Sequence, residues 1–173
     1  MGGMFKKWWK GKDAVAAVEF SLVGLPFIFL TAGIIELAVM FTTQSVLQEA
    51  TFTASRLIRT GQLQKSGGNP EEEFRTAVCD FAQSLIPCSS IQFQVQQLPS
   101  FSDAEDAPPE FDEDGNLQNT GFDPGSENDV VLIRVAYNYP VRTPMMQPIL
   151  ANNGDKRTLF STIVLETEPY QGF

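Results

Sequence analysis

The sequence contains no histidine and only two cysteines among its 173 residues. The absence of histidine removes the commonest general base and the commonest metal ligand. A G-x-S-x-G motif is also missing, and no pair of acidic residues stands in a recognisable catalytic setting. We therefore expect a structural or interaction protein that is not an enzyme and that carries no cofactor.

Basic residues are scarce in most of the chain, and none lies between Arg75 and Arg134. From Gln44 onward, eighteen acidic residues stand against eight basic ones, so this part carries a net charge of about -10. Nucleic-acid binding requires clustered Lys and Arg to replace the counterions of phosphates. An acidic body of this kind excludes nucleic acid as a partner.

One long apolar segment dominates the first quarter of the sequence. Phe20 to Ile35 is a run of sixteen residues without a charge, about 24 Å long as a helix. Apolar flanks on both sides extend it beyond the roughly 30 Å of a bilayer's hydrocarbon core. We predict a transmembrane helix over residues 15–41, with Glu19 and Glu36 near its two ends, where carboxylates cost less than at mid-bilayer.

The charges around this segment predict its orientation. Four lysines precede it, at Lys6, Lys7, Lys10 and Lys12. The positive-inside rule then places the N-terminus in the cytoplasm and exports the rest of the chain. A cleaved secretory signal is the alternative, but the small-residue cleavage motif is absent and the apolar run continues into a helical pattern.

That pattern predicts a helix much longer than a membrane anchor needs. Apolar residues recur at helical spacing beyond the span; they are Met40, Leu47, Ala50, Ala54, Leu57 and Ile58. We predict one helix from about Ala14 to Thr60, kinked at Pro26 and ended by Gly61. Residues 42–61 form its outer half.

The stretches AVAAVEFSLVGLPFIF, GIIELA and QSVLQEATFTASRLI resemble the start of TadE-like proteins. These are minor pseudopilins of the tight-adherence (Tad or Flp) pilus, within the type IV pilin superfamily. The resemblance covers about residues 12–60, and YNYPVRTPMMQPIL and LFSTIVLETEPY are similar to the family's closing segments. It implies a role in pilus assembly, initiation or tip formation, and so in surface adhesion.

The same resemblance implies a place and partners. The protein would lie in the bacterial inner membrane with its C-terminal domain in the periplasm, and would be incorporated into an extracellular pilus. Its partners would be other pilins and minor pseudopilins, the prepilin peptidase and the pilus assembly platform.

The resemblance also implies site residues. Glu19 and Phe20 match the family's Glu-Phe pair, which places prepilin peptidase cleavage between Ala14 and Val15 and makes residues 1–14 a basic leader. Gly is usual at the position of Ala14, so an uncleaved, membrane-anchored periplasmic adaptor is the alternative. Glu19 would pair with the N-terminal ammonium of a neighbouring subunit, since opposite charges attract strongly in a low dielectric.

The remaining residues, 62–173, predict a small exported α+β domain. Asn69 and Pro70 begin a second helix, which we expect Pro87 to stop. In an oxidising periplasm, Cys79 and Cys88 are most simply a disulfide. A redox or metal pair is the rival interpretation, but the spacing is not C-x-x-C and no further soft ligand is present.

Three segments alternate between apolar and polar residues or are rich in β-branched ones, as strands do. They are residues 91–96, Val130 to Tyr139 and Leu159 to Glu166. In the first segment, we predict that Gln92, Gln94 and Gln96 form a wet face, exposed to water. We predict a small antiparallel sheet that covers the outer half of the long helix.

The connection between the first two strands is acidic, with seven Asp or Glu residues between Asp103 and Asp114. Asp112, Asp114 and Asn116 surround Gly115 in a manner faintly like a calcium loop. The EF-hand signature is not met, because Gly115 stands at the fourth place rather than the sixth. A solvated acidic loop is the simpler interpretation, and a calcium site is the alternative.

Overall fold

The computed structural model describes residues 12–170, with side chains described from Val15 onward. Two compact units are distinguished, Met1–Ala38 and Val39–Phe173. The first long helix, α1 (Lys12–Arg59), belongs to both. The predicted long helix is thus confirmed. It begins two residues before the predicted start and ends one residue before the predicted end.

In the first unit, α1 presents its apolar side chains outward. Phe20, Leu22 and Val23 are 79%, 70% and 73% exposed. The helix continues through Pro26, although proline leaves one backbone carbonyl without its usual donor. Among the described residues, this is the one helix that is long and apolar enough to span a membrane, by length and composition.

In the second unit, α1 buries one narrow stripe. Its apolar members are Met40, Leu47, Ala50, Ala54 and Ile58. They recur every three, four or seven residues and so share one face of the helix. The two alanines in this face are fully buried.

The helix ends at a glycine, as predicted. Gly61 has φ +68°, the left-handed conformation that glycine adopts without strain. The C-terminal segment closes over this point: the Glu168 N–H donates to the Arg59 carbonyl at 2.8 Å, and the Arg59 and Glu168 side chains form an ion pair at 3.1 Å. A Cβ on Gly61 would overlap the Tyr170 ring.

A short helix, α2 (Gln62–Lys65), and a longer one, α3 (Pro70–Ala82), follow. The Asn69 side chain caps α3 by accepting from the Glu71 N–H at 3.1 Å. Its buried face consists of Phe74, Val78 and Ala82.

The prediction that α3 continues to Pro87 is wrong. The helix ends at Ala82, and Phe81 and Leu85 are 46% and 44% exposed. The physical reason is the bond between Cys79 and Cys88, whose Cα atoms are 5.4 Å apart. A continuous helix would separate two residues nine positions apart by about 13.5 Å, so the chain must turn back before Cys88.

The sheet is a three-stranded antiparallel meander. Its strands are β1 (Ile91–Leu98), β2 (Val130–Pro140) and β3 (Lys156–Glu166), in the order β1-β2-β3. A short helix, α4 (Gln147–Leu150), lies between β2 and β3. The predicted α+β fold is confirmed, with the long helix packed on this sheet.

The central strand β2 has two different faces. The helix face is apolar and buried; its residues on β2 are Val131, Ile133, Val135, Tyr137 and Tyr139. The loop face carries Arg134 and, on β1, Gln92, Gln94 and Gln96. The prediction of a wet face is wrong for Gln94, which is only 6% exposed. The acidic connection folds back over it and excludes water.

The Gly61 joint generates a prediction with a matched control. Gly67 has nearly the same φ, +69°, but no atom lies within 4 Å of a Cβ placed there. Both Gly61→Ala and Gly67→Ala should lower the free energy of unfolding by about 1–2 kcal/mol, because alanine is strained at positive φ. In Gly61→Ala we expect the free energy of unfolding to fall by a further ~1 kcal/mol or more, because the Tyr170 ring must move. Denaturant unfolding in detergent measures both variants. Equal losses would show that the Tyr170 contact contributes nothing.

Candidate functional site

The residues predicted for processing and assembly lie at the start of α1. Val15, Glu19 and Phe20 are all exposed on the helix surface. The backbone at Ala14 is helical, but its side chain and residues 1–11 of the predicted leader lie outside the described residues. Val15 and Glu19, four residues apart, stand on one face of the helix. The carboxylate is therefore open to a partner that approaches from the side.

Glu36 differs from Glu19 in its surroundings. It is only 7% exposed and takes part in an interaction within the structure. Of the two acidic residues in the apolar segment, Glu19 is the one available to another molecule.

Hydrogen bonds attach the acidic connection, residues 99–129, to the sheet at three places, and the Phe111 ring also packs against Phe160 of β3. At the first, its residues Gly121 to Asp123 pair with the outer edge of β1: the Val95 N–H donates to the Gly121 carbonyl at 2.9 Å, and the Asp123 N–H to the Val95 carbonyl at 2.8 Å. The Phe122 ring packs within 5.6 Å of Phe74 on α3. This pairing covers an edge that would otherwise be free to join another strand.

The second attachment is the turn around Gly115. The Gln92 amide donates to Asn116 Oδ1 at 2.7 Å and accepts from the Leu117 N–H at 2.6 Å. Leu117 is buried, whereas the carboxylates of Asp112, Glu113 and Asp114 remain exposed. The connection therefore exposes its charges while its backbone packs on the sheet.

The calcium candidates have other partners in this turn. Asp112 Oδ1 accepts from the backbone N–H groups of Asp114 and Asn116, and Oδ2 accepts from the Asn116 amide. These hydrogen bonds, the Asn116 backbone bond foremost, lower the pKa of the Asp112 carboxyl. No group of three or more acidic or sulfur ligands suited to a metal occurs among the described residues.

The third attachment is Arg134, which sequence reasoning missed. This residue of β2 is only 4% exposed. Its Nη1 donates to Gln94 Oε1 at 3.1 Å, and its Nη2 donates to the Ala107 carbonyl of the connection. Burial lowers the pKa of the guanidinium, and the nearby Glu110 carboxylate opposes that shift. The available signal was a lone Arg inside the apolar run VVLIRVAY.

An open cleft of about 220 Å³ lies where the connection meets β3. The Phe111 and Phe160 rings, 5.8 Å apart, form its apolar wall. Polar groups complete the lining, among them Asn152, Asn153 and Thr158. Asn152 Oδ1 accepts from the Thr158 N–H at 2.9 Å, so it serves the local fold.

The disulfide predicted between Cys79 and Cys88 is present. Its Cα separation of 5.4 Å is in the ordinary range. No described cysteine is left for redox or metal chemistry. The bond ties the end of α3 to the start of β1 and so supports the apolar core around Phe74.

Arg134 generates a prediction about the acidic connection. In Arg134→Met, the donors to Ala107 and Gln94 are lost while the buried volume is kept. Hydrogen bonds to a charged group contribute about 1.5–3 kcal/mol, so we expect amide exchange in residues 105–117 to become roughly tenfold faster or more. Hydrogen-exchange mass spectrometry on the full chain measures this.

The control for that experiment is Arg56→Met, which removes an exposed cation from α1. It should leave exchange in residues 105–117 unchanged. Unaltered protection in Arg134→Met would mean that the connection is held by its other contacts alone.

Comparison with known families bears on α1. The model of the TadE-like protein family matches residues 14–56, a segment that covers most of this helix and none of the sheet. The resemblance inferred from the sequence is confirmed for the helix, and it associates the chain with the Tad pilus. No curated protein matches the chain, and no solved structure does.

Proposed function

We propose that this chain, TadE-like over residues 14–56, is a minor pseudopilin of a Tad pilus that takes part in its assembly, initiation or tip formation. The observation that carries the proposal is the change of surface along one helix. α1 exposes Phe20, Leu22 and Val23 in the first unit, yet buries Leu47 and Ile58 completely in the second. A helix with both properties suits a subunit that is stored in a membrane and transferred to a helix-packed filament.

The proposed topology follows from the distribution of charge and exposure. Residues 1–14 form a cytoplasmic leader, 15–41 the transmembrane half of α1, 42–61 its periplasmic half, and 62–173 the periplasmic domain. The exposure of Phe41, 62%, supports an apolar surface to that point. The disulfide between Cys79 and Cys88 suits an oxidising compartment such as the periplasm.

Glu19 has the proposed role of subunit pairing. It lies exposed beside Phe20 on an apolar helix surface. A carboxylate left alone in hydrocarbon costs several kcal/mol, and that cost falls when a neighbour supplies a cation. The N-terminal ammonium created by cleavage before Val15 is the cation that we propose, because it would be fixed at a defined depth in the packed helices.

The alternative function is an uncleaved periplasmic adaptor that remains anchored in the inner membrane. The observation in its favour is Ala14, which stands where the family's cleavage motif has Gly. Both functions use the helix and the exported domain, and both have other pilus proteins as partners. They differ in whether a prepilin peptidase removes fourteen residues.

The first test neutralises Glu19. We expect Glu19→Gln to insert normally into the membrane and to impair pilus assembly, because the amide cannot pair with an ammonium. Piliation counted by electron microscopy, together with subunit levels in membrane fractions, measures both effects. Glu49→Gln is the matched control, since Glu49 is exposed on the same helix but outside the proposed span. Normal piliation with Glu19→Gln would contradict the ion pair.

The second test determines the N-terminus. We expect intact-mass spectrometry of the protein from piliated cells to give a chain that begins at Val15. In cells without the prepilin peptidase, the chain should keep Met1. A Met1 terminus in piliated cells would exclude the cleaved subunit and favour the adaptor.

A further inference from the structure

We infer that the cleft between the acidic connection and β3 is a binding site for a neutral sugar, a single pyranose ring at the end of a glycan. The inference goes beyond the proposed pilus role and does not depend on it, because the residues that line the cleft all lie within the second unit. It assigns a ligand to a part of the domain that the TadE-like match does not reach.

Two tight turns line the cleft. In the connection, the Gly115 N–H donates to the Asp112 carbonyl at 3.0 Å, and before β3 the Lys156 N–H donates to the Asn153 carbonyl at 2.9 Å. Each turn contains a glycine at positive φ, Gly115 at +72° and Gly154 at +58°, a conformation that glycine adopts without strain. Both turns are therefore held by their own backbone.

The two turns approach each other at Gly115. A Cβ placed on Gly115 would lie 2.7 Å from the Asn153 amide nitrogen and 2.7 Å from Thr158 Oγ1. Hydrogen bonds join the same parts: Thr158 Oγ1 donates to Asn138 Oδ1 at 3.0 Å, and the Asn138 amide donates to the Asp114 carbonyl at 3.3 Å. The shape of the cleft is therefore set before a ligand arrives, which lowers the entropic cost of binding.

The aromatic wall of the cleft offers surface to a ligand. The Phe160 side chain is 44% exposed, although the Phe111 ring packs 5.8 Å from it at an interplanar angle of 55°. The backbone of Phe160 is fixed in β3, and its carbonyl accepts from the Gln44 side chain at 2.9 Å. One side of a pyranose ring presents C–H groups, which the partly negative face of an aromatic ring attracts.

Polar groups with unused hydrogen-bonding capacity stand beside the rings. The side chains of Glu113 and Asn153 line the cleft and form no hydrogen bond with another described residue. Asn152 uses its Oδ1 for the Thr158 N–H, which leaves its amide N–H groups. A carboxylate accepts hydrogen bonds, and an amide both accepts and donates them. Since a sugar hydroxyl also does both, this mixture fits a ligand with several hydroxyl groups.

The charges around the cleft favour a neutral ligand. Asp112 and Glu113 line it, which disfavours an anion. Lys156, which is exposed, disfavours a cation, because it stands on the same face of β3 as Thr158 and Phe160. A sugar without a charged group avoids both repulsions.

The size of the cleft limits the ligand to one ring. Its volume of about 220 Å³ is below the roughly 300–1,000 Å³ of pockets that hold drug-sized molecules. Because the cleft is open, the rest of a glycan can extend into solvent. The limited binding energy available per atom then predicts a Kd of about 1 mM for the isolated sugar.

The test measures binding of methyl pyranosides to the full chain in phosphatidylcholine nanodiscs, which avoid detergents with sugar headgroups. The probes are the methyl glycosides of glucose, galactose, mannose and N-acetylglucosamine, and saturation-transfer difference NMR detects such weak ligands. We expect at least one probe to receive saturation, most strongly at the ring C–H groups that contact Phe160. No transfer to any of them at about 20 mM, well above the expected Kd, would overturn the inference.

Phe160→Leu and a matched control locate the binding. Leucine keeps an apolar group in place but removes the aromatic face, so we expect the affinity to fall about fivefold or more. Phe81→Leu is the control, because Phe81 is 46% exposed against 44% for Phe160 and lies outside the cleft; it should leave the transfer unchanged. Equal transfer to Phe160→Leu and to the unchanged chain would place the sugar elsewhere and overturn the site.

The polar groups and the charge have tests of their own. Asn153→Leu removes an amide at similar volume and should weaken binding about fivefold. Methyl glucuronoside should bind more weakly than methyl glucoside, because Asp112 and Glu113 repel its carboxylate. Transfer to choline but to none of the neutral sugars would assign the cleft to a cation and overturn the inference.

Discussion

The packing of one thin stripe of α1 against the helix face of β2 is the contact on which the rest of the domain depends. Leu47, Ala50, Ala54 and Ile58 on this stripe are all fully buried. Because the stripe is narrow, the remaining surface of the helix stays free. The same helix can thus organise a domain and still offer most of its circumference to lipid or to neighbouring helices.

A three-stranded sheet has two faces, and one helix covers only one of them. Here the acidic connection covers the other through Arg134 and the turn at Gly115. Its carboxylates stay in water while its backbone and its Phe and Leu residues pack. This arrangement explains how a segment with seven acidic residues in a dozen positions is nevertheless an ordered part of the fold.

The features predicted correctly from the sequence are those with a local cause. The periodicity of α1, its end at Gly61, the cap at Asn69 and the three strands each follow from neighbouring residues. Gln94 and Arg134 were not predicted to be buried, because what covers them is folded back from more than ten residues away. The early end of α3 likewise depends on the disulfide to Cys88. The helical pattern of the sequence does not show that this bond turns the chain back.

The candidate site, too, was predictable from the sequence only in part. Glu19 is recognisable because its type is unexpected in an apolar helix, and the structure leaves it exposed. Its proposed partner belongs to another chain, so no contact within this one could identify it.

The way in which the chain closes on itself has a mechanical consequence. It enters the domain at the Val39 end, and after β3 its last described residues are fastened at the opposite end, around Gly61. Tension applied between these points passes along α1 and across the Arg59–Glu168 contacts, so the residue pairs between β2 and β3 are not loaded until those contacts break. A domain closed in this manner keeps its sheet out of the path of an axial load.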